Sequence, residues 1–74
     1  MKFLVIELQV NGDSTGNIVT THDTRNDAES KFHLVLSAAA VSNVEKHSAV
    51  LLTDEGTVLD TKCYRHDVVT EEEE

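Results

Sequence analysis

One stretch of this chain spaces its apolar residues at the helical period, and it stands between two stretches that space them at the strand period. That order limits the fold more than any other feature. In the first stretch, Leu4, Ile6, Leu8 and Val10 fall on one face of an extended chain, and Phe3, Val5, Glu7 and Gln9 on the other. A strand that is apolar on one face and half-apolar on the other suits the middle of a sheet. The run Asn11–Asn17 is rich in Asn, Asp and Gly, which accept left-handed backbone angles. It predicts a turn longer than the tightest two-residue kind. Ile18 to Asp23 resumes as a β-branched strand and completes an antiparallel hairpin.

The helical stretch opens on Asn26-Asp27-Ala28-Glu29, which has the spacing of a capping box. Ala28, Phe32, Val35, Leu36, Ala39 and Ala40 share one broad face at 3.6-residue spacing. The alanines at 38–40 favour helix and let it sit close to a sheet, and Asn43 suits the position just past its end. His47 to Thr53 and Thr57 to His66 then form a second hairpin around Asp54-Glu55-Gly56, a three-residue loop with Gly56 in the left-handed position. Simple alternation puts Ala49, Leu51, Leu59, Thr61 and Cys63 on one face of this hairpin. It puts Ser48, Val50, Leu52, Val58, Asp60, Lys62, Tyr64 and His66 on the other. The whole is β-β-α-β-β, a two-layer α+β domain with a four-stranded, mainly antiparallel sheet and one helix on one face. The most apolar strand belongs inside the sheet, which favours the strand order 2-1-3-4 and leaves open the orders that pair the first and fourth strands.

One helix covers one sheet face. On this reading the other face carries Phe3, Val5, Val19, Val50 and Leu52, too much apolar surface to leave in water. A homodimer or higher oligomer, closed through that face or a strand edge, is therefore expected; the alternative is a monomer in which the facing is off by one residue and the two faces are swapped.

Charge divides the chain. Of 74 residues, 6 are Lys or Arg and 14 are Asp or Glu, giving a net charge of −8. Asp67 and Glu71 to Glu74 supply five of those acids with no base, which leaves −3 for residues 1–66. Residues 1–66 read as a single domain and 67–74 as an acidic disordered tail. The tail is either a solubilising segment or an acidic mimic of nucleic acid. The six bases are scattered, so sequence-independent binding to a duplex is not expected. No apolar run approaches the about 20 residues of a membrane span, so no membrane association is expected. No secretory leader is legible, and the single Cys63 fits a reducing cytosol.

Chemistry-bearing residues are few. His33, His47, Cys63 and His66 lack the spacing of a tetrahedral metal site, so no metal and no cofactor are expected. Cys63 reads as a small buried side chain and not a nucleophile. Ser14 and Thr15 between Gly12 and Gly16 read as a hairpin loop and not a phosphate cradle. No pair of carboxylates is brought together by spacing, and the chain is expected not to be an enzyme. One cluster stands out. Cys63-Tyr64-Arg65-His66 puts a phenol, a guanidinium and an imidazole within four residues, and Lys31 and His33 add polar groups from the helix. Tyr64 serves there either as a sheet or interface packer or as a ligand contact.

Longer segments carry a family pattern. These are Met1 to Gln9, Ala28-Glu29-Ser30-Lys31-Phe32-His33, Ala38-Ala39-Ala40-Val41-Ser42, His47 to Leu52, Glu55-Gly56 and Cys63 to His66. Together they resemble a group of small uncharacterised proteins encoded in phages and prophages of Firmicutes. The resemblance covers residues 1–66 and brings no catalytic residues. It implies a viral gene expressed in a bacterial cytosol, and it marks Ser30, Lys31, His33, His47, Tyr64 and His66 as residues to test together.

Two functions follow as expectations. The first is a non-catalytic, homo-oligomeric binder that modulates or counters a host defence system. It would sequester a small signalling nucleotide or cover a host protein, with Lys31, His33, His47, Tyr64, Arg65 and His66 as its contact residues. The alternative is a structural or accessory role in virion assembly.

Overall fold

The computed structural model describes residues 1–66. The acidic tail expected at 67–74 lies outside the described residues. Five elements follow one another: β1 (Phe3–Asn11), β2 (Ser14–His22), α1 (Arg25–Val41), β3 (Lys46–Thr53) and β4 (Val58–Arg65). The strands form one antiparallel sheet in the order β2-β1-β3-β4. The expected α+β class and element order hold, as does the favoured strand order. Among the described residues no helix is long and apolar enough to cross a membrane.

The first hairpin is tighter than the sequence suggested. Asn11 pairs directly with Ser14, leaving only Gly12 and Asp13 in the turn. Gly12 has φ +65°, and among the described residues no non-glycine residue has positive φ. Gly first with Asp second fits the type II′ turn, whose twist matches that of the strands. Thr15 to Asn17, expected in the turn, instead pair with β1 as far as Leu8. In the second hairpin Gly56 has φ +89° and its amide donates to the Thr53 carbonyl at 3.0 Å, as the three-residue loop requires.

Helix α1 starts two residues earlier than its capping-box pattern implies. Thr24 is the N-cap, its hydroxyl accepting from the Asp27 amide at 3.2 Å. Glu29 does not reach back to a cap; it pairs with Arg25 one turn away at 2.7 Å. Both Thr and Asn can cap, and a charged partner at i−4 competes for the glutamate. Ser42 is the C-cap, so Asn43 does sit just past the end, without a left-handed backbone.

Ala28, Phe32, Val35 and Ala39 form the buried stripe of α1. They pack on Val5, Ala49 and Leu51, with Phe3, Leu36 and Leu59 at the margin. Phe32, Leu51 and Val5 are each at most 2% exposed. Phe3 and Val5 therefore belong to the core under the helix and not to the open face. The register sets the reversal: Val5 stands opposite Leu51, and Glu7 opposite Ala49. Leu4, Ile6, Leu8 and Val10 are turned to the uncovered side, beside Val19, Val50 and Leu52. Hydrophobicity alone favoured the other orientation. It lost because Glu7 and Gln9, on the helix side, find polar partners there.

A second reversal affects β4. A bulge at Leu51/Leu52 places an extra residue in β4, with Val58 opposite Leu52 and Asp60 opposite Leu51. One extra residue inverts the alternation beyond it. Leu59 still reaches the core, but Asp60, Lys62 and Tyr64 turn to the helix side. Thr61 and Cys63 turn to the open face, and Cys63 is exposed and not buried.

Candidate functional site

The six residues singled out in sequence do not form one site. The structure divides them among three places.

His47 is the most buried of them, at 4% exposed. It faces the helix from the start of β3, beside β1. Its Nε2 lies 2.6 Å from Glu7 Oε2, and its Nδ1 lies 3.0 Å from Ser42 Oγ. Gln9 Nε2 donates to the same Glu7 oxygen at 3.0 Å, and the Val44 amide donates to Ser42 Oγ at 3.3 Å. Both ring nitrogens are therefore engaged, Nε2 by the Glu7 carboxylate and Nδ1 by the Ser42 hydroxyl. Burial is the largest single influence on the Glu7 carboxyl and would raise its pKa. The hydrogen bonds from His47 and Gln9, together with the charges of His47 and Lys31, outweigh it and hold the pKa below the ordinary value. Lys31 is half-buried on α1 and acts on this cluster. His47 and Lys31 are thus parts of a polar joint between β1, β3 and the end of α1.

Tyr64, His66 and His33 gather at a second place. Helix α1 lies mainly over β1 and β3, so the helix side of β4 is left uncovered beside it. The result is a groove of about 520 Å³ between α1 and β4. Phe32 and Leu36 floor it, His33 and Ser37 rim it from the helix, and Asp60, Lys62 and Tyr64 rim it from β4. The Tyr64 ring is stacked on His66, centroids 6.5 Å apart and 9° from parallel, and the Lys62 ammonium stands 5.1 Å from its centre. His33 sets its ring edge against Phe32 at 5.6 Å. His66 itself is a fastener. Its Nε2 donates to the Ala39 carbonyl at 2.8 Å and its amide to the Glu45 carbonyl at 2.7 Å. The first of these bonds adds a second donor, beside the Ser42 amide, to a carbonyl at the end of a helix with no basic residue in its last turn.

Arg65 is at a third place. It pairs with Lys46 at the end of the sheet, and both turn to the open face. Tyr64 and Arg65 therefore work on opposite sides of the sheet. Among the described residues no group of three or more His, Cys, Asp or Glu side chains stands together.

The open face is the remaining candidate surface. Its centre is the aliphatic row of β1, flanked by Val19 on β2, Val50 and Leu52 on β3 and Val58 on β4. Val19 is 50% exposed and Val58 56%. Lys46 and Arg65, side by side at one corner, are the only charged residues that the strand register assigns to it.

Sequence reasoning missed Glu7, Ser42 and Lys62. Glu7 carried a signal, a lone acid in an otherwise apolar strand. Lys62 carried none before the bulge was known. No family model, curated protein or solved structure matches this chain.

Proposed function

We propose that this chain is a non-catalytic binding protein that works as a homodimer, closed by face-to-face packing of two open sheet faces. One observation carries the reading. The more apolar face of the central strand β1 points away from the helix, while its polar residues Glu7 and Gln9 point under it. The polar joint of Glu7 with His47 and Gln9 holds that orientation within one chain but leaves the aliphatic row of β1 uncovered, and a sandwich of two sheets turns that row into a second core.

Size supports a second copy as the occupant. Four strands about 4.8 Å apart and about 30 Å long present roughly 550 Å² per copy. Two copies together bury about 1,100 Å², just above the roughly 1,000 Å² at which specific interfaces begin. The main-chain groups of β1 and β3 are engaged on both sides, so the centre of the face offers only side chains. A flat aliphatic surface is the complement it requires, and a second copy supplies one.

The Ser42–His47–Glu7 chain has the members of a hydrolytic triad, yet its surroundings favour a structural role. The imidazole is buried, the serine oxygen already accepts an amide proton, and the hydroxyl sits at the C-terminal end of α1. That end of a helix presents carbonyls, which repel an oxyanion. Set beside the resemblance to small phage proteins, the dimer is a host-modulating binder of the bacterial cytosol. It would act by covering a host protein or by sequestering a small ligand.

Sedimentation equilibrium of the full chain tests this. We expect a species of twice the 8.2 kDa chain mass. Ile6→Glu, which puts a charge at the middle of the face, should return it to chain mass with an unchanged far-ultraviolet spectrum. A wild-type monomer at about 100 µM would overturn the reading. Alkylation of Cys63, which lies on the same face, should slow as wild-type concentration rises and stay constant in Ile6→Glu.

A further inference from the structure

We infer that the groove between α1 and β4 binds a small organic anion, a phosphate monoester or a carboxylate with a compact apolar body. The observation behind this is a set of four polar groups that converge on one groove and whose proton-donating atoms make no hydrogen bond among the described residues, the Lys62 ammonium standing over the Tyr64 ring. His33, Ser37, Lys62 and Tyr64 all line the groove. Elsewhere the histidines are engaged: His22 with Thr20, His47 with Glu7 and Ser42, His66 with Ala39. Among the described residues, the His33 nitrogens, the Ser37 hydroxyl, the Lys62 ammonium and the Tyr64 hydroxyl have no hydrogen-bond or ion-pair partner. Each of the four can donate a proton, and one is a full positive charge.

The groove selects its ligand in three ways. Its size, about 520 Å³, falls in the range of small-molecule sites. Its charge is a single ammonium with neutral donors beside it and Asp60 at the rim, which suits one anionic group and opposes a polyphosphate or a nucleic-acid backbone. Its aromatic surface is already used. Tyr64 has His66 stacked against it and Lys62 over its ring, so the ligand's body lies on the Phe32 and Leu36 floor with the Tyr64 hydroxyl toward the anion. Lys62 thus takes the part that sequence reasoning gave to Arg65, which the strand register turns to the opposite face.

This inference rests on the binding reading above and gives its ligand arm a location, but it does not depend on the dimer. The groove and the open face lie on opposite sides of the sheet.

The test is a titration of the isotopically labelled full chain, followed by amide and side-chain NMR shifts. Phenyl phosphate and benzoate are the organic probes, and inorganic phosphate is the control. Saturable shifts at His33, Ser37, Lys62 and Tyr64 are expected with the organic probes, tighter than with phosphate because only they reach the floor. Lys62→Ala should weaken them about tenfold, and Ser37→Ala less. Lys62 and Ser37 are exposed, so both variants keep the fold. No saturation by about 10 mM of any probe refutes the site. Shifts that are equal for phosphate and phenyl phosphate, or unchanged in Lys62→Ala, refute it too, the first leaving general ion binding and the second a contact elsewhere. Sedimentation of Lys62→Ala should match wild type, so a failed groove leaves the dimer standing and a failed dimer leaves the groove standing.

Discussion

Replacing Glu7 by glutamine isolates the charge in the buried polar joint. The carboxylate is 17% exposed and its histidine partner 5%. Both hydrogen bonds that Glu7 accepts from His47 and Gln9 go to the same oxygen, Oε2, at 2.6 and 3.0 Å. A glutamine amide can place its single carbonyl oxygen there and keep both bonds. What is lost is the negative charge, and with it the difference between a charge-assisted and a neutral hydrogen bond, about 1–1.5 kcal/mol. Glu7→Leu goes further and leaves the buried His47 Nε2 proton without an acceptor, for a total of about 2–4 kcal/mol.

The pH dependence fixes the mechanism. The Glu7 pKa is lowered in the fold, by hydrogen bonds and nearby charges that outweigh the raising effect of burial. Its contribution is therefore fully present above the unfolded carboxyl pKa of about 4.3 and disappears as pH falls through the folded value. Urea unfolding of wild type and Glu7→Gln at a series of pH values reads this directly. The stability gap should be constant above about pH 5.5 and close toward acid. A gap that persists unchanged at low pH, or a glutamine variant as stable as wild type at pH 7, would show that the carboxylate charge is not what holds the joint.

Other substitutions test other links. Thr24→Ala should cost about 1 kcal/mol in urea unfolding, while Asn26→Ala should stay within about 0.5 kcal/mol, because the first residue is the cap and the second is not. Gly56→Ala forces a side chain to φ +89° and should cost about 1–2 kcal/mol. Gly16→Ala, with nothing within 4 Å and no positive φ, should be neutral or slightly stabilising, and thermal melts compare the pair. Phe32→Ala empties the centre of the core at a cost of about 3–5 kcal/mol, enough to unfold much of a chain this small, visible as lost ellipticity at 222 nm.

The class and the element order were legible because they follow from periodicity, and periodicity survives any choice of facing; the strand order was only favoured, by the apolarity of β1. Facing was not legible. In β1 both faces are apolar enough to be buried, and the choice turned on Glu7 meeting His47 from 40 positions away. In β4 the bulge at Leu51/Leu52 moved Lys62 and Tyr64 across the sheet. A bulge needs no glycine and leaves no mark in a pattern of alternating residues. The candidate site suffered most from this, since it was read from neighbours in sequence. Residues adjacent on a strand point to opposite sides, so Tyr64 and Arg65 were never going to share a ligand. Ser42 was invisible for another reason: its role depends on where the helix ends relative to β3.

The strand order also sets a timetable. The strand of this domain that is made before the others is a central one, and its second neighbour in the sheet is β3. The β1–β2 ribbon closes within about 1–10 µs of becoming free. Leu4 pairs with Thr21 almost at once, but with Leu52 only after another 30-odd residues are made. At about 5–20 residues per second that delay is on the order of 2–6 s. Throughout it, the nascent ribbon shows one unpaired edge and both sides of β1, with Phe3 and Val5 as bare as Ile6 and Leu8. The domain thus spends much of its synthesis with its stickiest strand unaccompanied, and its yield in a cell should depend on translation speed and on chaperones that hold extended apolar segments.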